Sequence, residues 1–569
     1  MRLRWLLAPV LAGAMVMSVW HLPVAEPSTP QPAPRPKLVV LVVFDQMRGD
    51  YLKKWQPLFG EGGFKRLQTD GAWFTNCHYP YAYTLTAAGH TSLVTGTTPS
   101  RHGVIANEWY DRANGESVNS VTPTPDEIAN GLGPYRRKSE TVGDVLMRLL
   151  KGRVASMSIK DRAAILMAAL RAQICYWFNP ATGNFVTSRY YRPDPHSWVT
   201  KFNKAKHADQ WLGQSWNYFK PKLDYKAHSS RDDFKGEGTG YLQKQTFPHP
   251  FQLGTGKDEK ENKESYYNAV TCSPMGNELL FEFVQQAIAS EKLGQSESVD
   301  LLCVSFTSND YIGHTWGPDS QEVLDVTLRS DALMKKLLDL LDDKVGKGNY
   351  YLALSGDHGV CPLPEFAQKQ GKDAGRIAPE LLTTEAEAFL NQRFLPAGQK
   401  APWFIVPRRM NTWMYFNYAT LQGLGLDRRV VERALADWFK AQPGIESAFT
   451  RTELERDNPD ASERYLQVRR SYHPACSGDV MVIAKPYHIF SPPNLAENPE
   501  KNPNYRATHG MPHDYDTHVP LLVYGPRIAP GTRDELVRPQ AMASILAEAL
   551  GVPAPAHATY PLPGGLFKK

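Results

Sequence analysis

The 569-residue chain carries 64 basic and 59 acidic side chains, a balance too even to make a nucleic-acid-binding surface or a field that gathers acidic partners. With 42% apolar residues it can bury a large core, and length alone would suggest several domains. Cys77, Cys175, Cys272, Cys303, Cys361 and Cys476 are far apart in sequence, which excludes a CxxC redox or zinc-ribbon motif and leaves structural bridges or buried thiols.

The chain opens with Arg2 and Arg4 ahead of an apolar run that reaches Trp20 and contains Pro9 and Gly13. That is the build of a secretory signal peptide over residues 1–25, cut near Ala25. The run is short of the ~20 residues a spanning helix needs, so an uncleaved anchor is the lesser alternative. No cysteine lies near it to carry a lipoprotein anchor. Residues 26–36 form a stiff, proline-rich linker. These features predict a periplasmic or secreted protein with no membrane contact beyond the N-terminal segment.

From residue 37 onward, β-branched runs predict fully buried parallel strands over 37–44 (KLVVLVVF), 154–158, 301–306 (LLCVSF), 350–355 (YYLALS) and 519–524 (VPLLVY). Helical patterns separate them, the clearest over 321–341, where apolar residues recur at three and four. The alternation predicts an α/β fold, a mostly parallel central sheet sandwiched by helices. Two stretches interrupt it, about 163–300 and about 362–478. The second holds strand-like 411–417, a helix over 428–441 and, just beyond it, strand-like 479–483, enough for an inserted α+β cap.

The residues that follow each strand carry the chemistry. Asp45 follows the first, Lys160 and Arg162 the second, Asp310 and His314 the third, Asp357 and His358 the fourth. Open α/β sheets bind ligands beyond the carboxyl ends of their strands, so these groups are predicted to meet at one edge. His518 precedes its strand and joins them only if that strand runs the other way or its loop reaches back. If Asp45 and His518 share a site, residues 37–569 are one catalytic domain with insertions. Three carboxylates and three imidazoles suit two borderline divalent ions with open positions, zinc above all, whereas calcium or magnesium would prefer oxygen alone. His102, His509 and His513 are assigned to structure or surface.

Thr86 stands where an N-cap is expected, ahead of a short helix over 87–94. A hydroxyl there lies beside free backbone N–H groups and the positive end of the helix, a place suited to phosphate. On that segment alone, Thr86 reads as a cap and no more.

Taken together, FDQMRGDYL, the TAAGH…TGTTPSRHGVIAN block, SIKDR, DYIGHTWGP, SGDHG and DTHVPLLVYG resemble the alkaline phosphatase superfamily. The likeness is greatest to the periplasmic PafA-type phosphomonoesterases, which use a threonine nucleophile and are related to nucleotide pyrophosphatase/phosphodiesterases. It spans Lys37 to Pro526, with little in the two insertions. The resemblance implies that Thr86 is the nucleophile and that two Zn2+ are bound. Asp45, Asp357 and His358 would hold the ion that ionises Thr86; Asp310, His314 and His518 would hold the ion that receives the leaving oxygen. Asn107, Lys160 and Arg162 would grip the phosphoryl oxygens. The implied substrates are small phosphate monoesters, hydrolysed through a phosphothreonine. A phosphodiesterase or nucleotide pyrophosphatase on the same metals is the alternative, and the two cations of SIKDR argue against it because a diester offers one charge where a monoester offers two. A non-catalytic metal-binding protein on the same fold would be expected to lack a ligand, and none is missing.

Overall fold

Every side chain of β1 (Leu38–Phe44) is buried, and a strand with no polar face must be covered on both sides. Leu38, Val40, Val42 and Phe44 enter one apolar cluster; Val39, Leu41 and Val43 enter another on the opposite face. These two clusters are the two halves of a helix–sheet–helix sandwich. The structure is a computed structural model and describes residues 35–405, 412–492 and 502–568; the expected signal peptide and nearly all of the linker lie outside the described residues.

The strands that follow are β2 (Ala72–Phe74), β3 (Val154–Ser158), β4 (Ile174–Asn179), β5 (Asn184–Val186), β6 (Asp300–Phe306) and β7 (Tyr350–Gly356). Next come β8 (Trp413–Met414), β9 (Ile445–Thr450) and β10 (Val480–Ala484), and then β11 (Leu521–Tyr524) and β12 (Gly531–Arg533). The central sheet has the order β12-β2-β11-β7-β1-β6-β3-β4-β5. Its middle, from β7 to β4, is parallel. β11 pairs with β7 antiparallel, and β5 with β4 antiparallel. The predicted sheet is therefore present, with the 519–524 run reversed.

The stretch 163–300, expected as an insertion, is not an appendage. It supplies β4 and β5 to the sheet edge and buries Tyr176, Phe283 and Ile288 in the same cluster as β1. The second stretch does form a cap: β8, β10 and β9 make a separate antiparallel sheet with a helix over Arg428–Lys440 and apolar clusters of its own. One of these clusters includes Tyr83, Ile105 and Trp109, which seats the cap on the segments flanking Thr86 and Asn107. All six cysteines are free and buried, so the sequence alternative of buried thiols holds. Among the described residues no helix is long and apolar enough to cross a membrane.

Candidate active site

Thr86 opens α1 (Thr86–Thr95), and the cap position belongs to Leu85, whose extended backbone (φ −123°, ψ 156°) offers no capping side chain. The expected cap role of Thr86 is therefore displaced by one residue. A free N–H at the start of the helix is satisfied from elsewhere: the Ala87 N–H donates to Asn107 Oδ1 at 2.9 Å. That bond also orients the Asn107 amide, because the oxygen is engaged and the NH2 group remains for the cavity that Asn107 lines. The Thr86 hydroxyl instead lies 3.4 Å from His358 Nε2. The helix can come this close because position 89 is glycine; a Cβ there would stand 2.2 Å from the Asp357 carbonyl oxygen.

Asp45 and Asp357 sit on the residues after β1 and β7, neighbouring parallel strands. With His358 they form a wholly buried group whose ligand atoms lie within 4.8 Å of one another. Asp310 and His314 lie four apart on α2 (Ser308–Trp316), which begins just beyond β6, and so share a helix face. The third member of that group is His509. The loop bearing His509 is clamped to α2: the N–H groups of Arg506 and Ala507 donate to the His314 carbonyl at 2.8 and 3.0 Å.

All three imidazoles show the same arrangement. His358 Nδ1 lies 2.9 Å from the Gly359 carbonyl, His314 Nδ1 2.7 Å from the Ala507 carbonyl, and His509 Nδ1 2.8 Å from the Thr84 carbonyl. A carbonyl only accepts, so each Nδ1 carries the proton and each Nε2 presents a lone pair. Those lone pairs face carboxylates: His358 Nε2 is 3.2 Å from Asp357 Oδ2 and 3.5 Å from Asp45 Oδ1. His314 and His509 Nε2 are 3.3 and 3.5 Å from Asp310 Oδ1. Lone pair against carboxylate is repulsive unless a cation lies between them, and a histidine held through Nδ1 by a carbonyl is the usual form of a metal ligand. Asp45 Oδ1 and Asp357 Oδ2 are buried with no hydrogen-bond partner. The residues present therefore fit a bound divalent cation at each group.

The charges agree. Burial pushes His358 down to about 3, against the pull of Asp357, and burial likewise lowers His509. Three carboxylates face one ammonium: Lys160 Nζ lies 2.8 Å from Asp45 Oδ2 and 2.5 Å from Asp310 Oδ2. Burial and the adjacent Asp357 carboxylate push Asp45 well above the ordinary carboxylate range. Burial acts on Asp310 in the same direction, against the pull of the Lys160 ammonium. Arg162 has Asp161 as an acidic neighbour, at 3.7 Å. Its Nε is buried without a hydrogen-bond partner, and its side chain lines the cavity. That cavity, about 800 Å³, is also lined by Tyr83, Asn107, His314, Tyr505 and His509.

His518 does not join them. Its strand runs the other way, as the alternative required, yet the ring turns aside: Nε2 lies 3.0 Å from the Thr75 carbonyl and the ring stacks on His78 at 4.6 Å. Gly49 closes the other side, since a Cβ there would meet the ring at 2.5 Å. In the place expected for His518 the candidate group instead has His509, nine residues earlier, which sequence reasoning had set aside with His102 and His513. Those two are structural, on Ser92 Oγ and the Ala484 carbonyl. Sequence reasoning also passed over His90 and Gln46. His90 Nδ1 is 2.9 Å from the Thr86 carbonyl and 3.2 Å from Asp357 Oδ2, and Gln46 touches both carboxylate groups. Both lay inside quoted motifs, TAAGH and FDQM, where adjacency to a candidate residue was the available signal.

Comparison with known proteins bears on the fold and the family. Residues 39–511 match the family model described as type I phosphodiesterase / nucleotide pyrophosphatase. The chain is 34% identical over 514 residues to alkaline phosphatase PafA of Elizabethkingia meningoseptica, covering 88% of this chain and 89% of that one. It is 32% identical over 520 residues to alkaline phosphatase PhoV of Synechococcus elongatus, covering 88% of each. The crystal structure of wild-type alkaline phosphatase PafA superposes with a TM-score of 0.83 at 32% identity, over 94% of this chain and all of that one. With the family model matched over residues 39–511 and the fold shared with PafA, the chain belongs to the type I phosphodiesterase / nucleotide pyrophosphatase family and is similar to the PafA-type alkaline phosphatases.

Proposed function

We propose that this protein hydrolyses phosphate monoesters through a covalent phosphothreonine at Thr86, with two zinc ions as cofactors. The observation that carries the proposal is the set of three Nδ1-anchored imidazoles whose Nε2 atoms converge with carboxylates beside the Thr86 hydroxyl. Asp45, Asp357 and His358, with the Thr86 oxygen, would hold one ion; Asp310, His314 and His509 would hold the other. Mixed imidazole and carboxylate sets favour zinc over magnesium or calcium, which prefer oxygen alone. Bound there, the ions supply Lewis-acid chemistry, lowering the pKa of a hydroxyl and balancing charge on entering and departing oxygens.

The chain's own residues do the rest. Thr86 Oγ1 gives up its hydroxyl proton to solvent and forms a bond to phosphorus as the ester oxygen departs with its electron pair and takes up a proton from solvent. Water then displaces Thr86 from phosphorus and inorganic phosphate leaves. The Asn107 amide, oriented through its oxygen, donates to a phosphoryl oxygen, and Arg162 brings the cation of the open cavity. Lys160, already between Asp45 and Asp310, adds a second positive charge suited to a dianionic monoester.

The test is a side-by-side rate measurement on an aryl phosphate monoester and an aryl phosphodiester with zinc-loaded protein. Higher kcat/KM on the monoester is expected; a preference for the diester would place the chain with the phosphodiesterases of its family. The signal-like N-terminal sequence supports action in the periplasm or outside the cell, which fractionation of the host checks.

A further inference from the structure

Gln46 follows Asp45 directly and is buried, with 3% of its surface exposed. Its φ of 65° puts it in the left-handed region, which non-glycine residues rarely enter. The turn sends its two donors in different directions. The main-chain N–H donates to Asp357 Oδ1 at 3.0 Å. The side-chain Nε2 donates to Asp310 Oδ1 at 2.7 Å and approaches the Asp310 carbonyl at 3.3 Å. One residue therefore holds a carboxylate of each ligand group. It also takes the oxygen of Asp357 that His358 does not face, leaving Oδ2 turned toward the imidazoles of His358 and His90. Its own Oε1 is seated against α2: a Cβ at Gly313, the residue before His314, would lie 1.8 Å from it.

We propose that Gln46 is a positioning residue that sets the orientation and spacing of the two metal groups, a role that presupposes the two-zinc reading above. A neutral amide is the chemistry required. It donates to Asp310 without adding a charge to a site that already holds three carboxylates, and the spacing it fixes is the distance across which phosphorus passes from ester oxygen to Thr86. Partners that orient metal ligands in this way typically alter metal affinity by ~10–100-fold when removed.

Gln46→Met keeps the length of the side chain and the main-chain N–H but removes the amide donor. Zinc titration of chelator-stripped protein against a competing chelator should show one equivalent bound as in wild type, by the Asp45 group, and a second weakened ~10–100-fold. Excess zinc should restore monoesterase activity. Gly313→Ala should reproduce this effect by displacing the amide without altering it, and it guards against a misfolded Gln46 variant because alanine is the better helix former. Added to His509→Ala, which already disables the Asp310 group, Gln46→Met should cost little more. Two equivalents bound at wild-type affinity in both variants would overturn the proposal, as would equal weakening of both equivalents. If the wild-type chain takes up no zinc, the two-zinc reading falls as well; zinc uptake with no effect of either variant removes Gln46 alone.

Discussion

The two ligand groups are chemically alike and built in different ways. Asp45, Asp357 and His358 stand on the last turn of backbone after two paired strands, so the register of β1 and β7 fixes their spacing. Asp310 and His314 share one helix, but their third partner, His509, arrives on a loop from 195 residues further on and is held by carbonyls of Thr84 and by the Arg506–Ala507 clamp. The first group is a product of sheet geometry; the second depends on a long-range docking. The strand-end group should accordingly tolerate little, and the loop-completed group should be the one that distant changes loosen.

The largest expected effect is at the residue the first group serves. Thr86→Ala should lower kcat by roughly 10⁴-fold or more, the scale seen when a covalent nucleophile is removed, whereas Thr86→Ser should keep a substantial part. Acid-quenched enzyme should carry phosphate on Thr86; label on Thr84 or Ser92 would identify a different hydroxyl. Next come the ligands. His358→Ala and His509→Ala should each weaken zinc binding by more than ~100-fold, exceeding the range for partners outside the coordination sphere, and chelation should abolish activity until zinc is returned. His518→Ala should leave zinc stoichiometry and kcat within a few-fold of wild type. Reversal of the His509 and His518 results would break the comparison at its weakest point.

A smaller effect separates substrates. Lys160→Ala with Arg162→Ala should remove roughly 1.5–3 kcal/mol per charged hydrogen bond from the aryl monoester reaction and much less from the diester. The two share one anion, so their effects need not add. Lys160 also links Asp45 to Asp310, and equal losses on both substrates would show that this link is its whole function.

The smallest effect lies outside both groups and serves as their control. His102 is fully buried, accepts the Val104 N–H at Nδ1 and pairs with Ser92 at Nε2, so protonation would cost it a hydrogen bond as well as solvation. Burial pushes it from 6.5 down to about 3. The unfolded chain therefore binds this proton first as pH falls, and the stabilisation, complete above about 6.5, is lost progressively toward about 3. Urea unfolding should show stability falling by up to ~1.4 kcal/mol per pH unit from this residue. His102→Gln should flatten that slope without changing zinc stoichiometry.

Sequence by itself determined the sheet and most of the candidate site. The β-branched runs could only be doubly covered strands, and polar residues placed immediately after them had to gather at one edge. That reasoning located Asp45, Asp310, His314, Asp357 and His358, and also Lys160. The same reasoning located Arg162, and motif order added Thr86 and Asn107. Tertiary structure alone decided three things. It set the direction of β11, because an antiparallel strand and a parallel one in that place bury the same apolar residues. It showed that 163–300 belongs to the sheet, since the helices between carry no mark of which strand they return to. And it chose His509 over His518: a loop ligand has no register to fix it, and only the clamp on His314 and the stacking of His518 on His78 decide which imidazole turns inward.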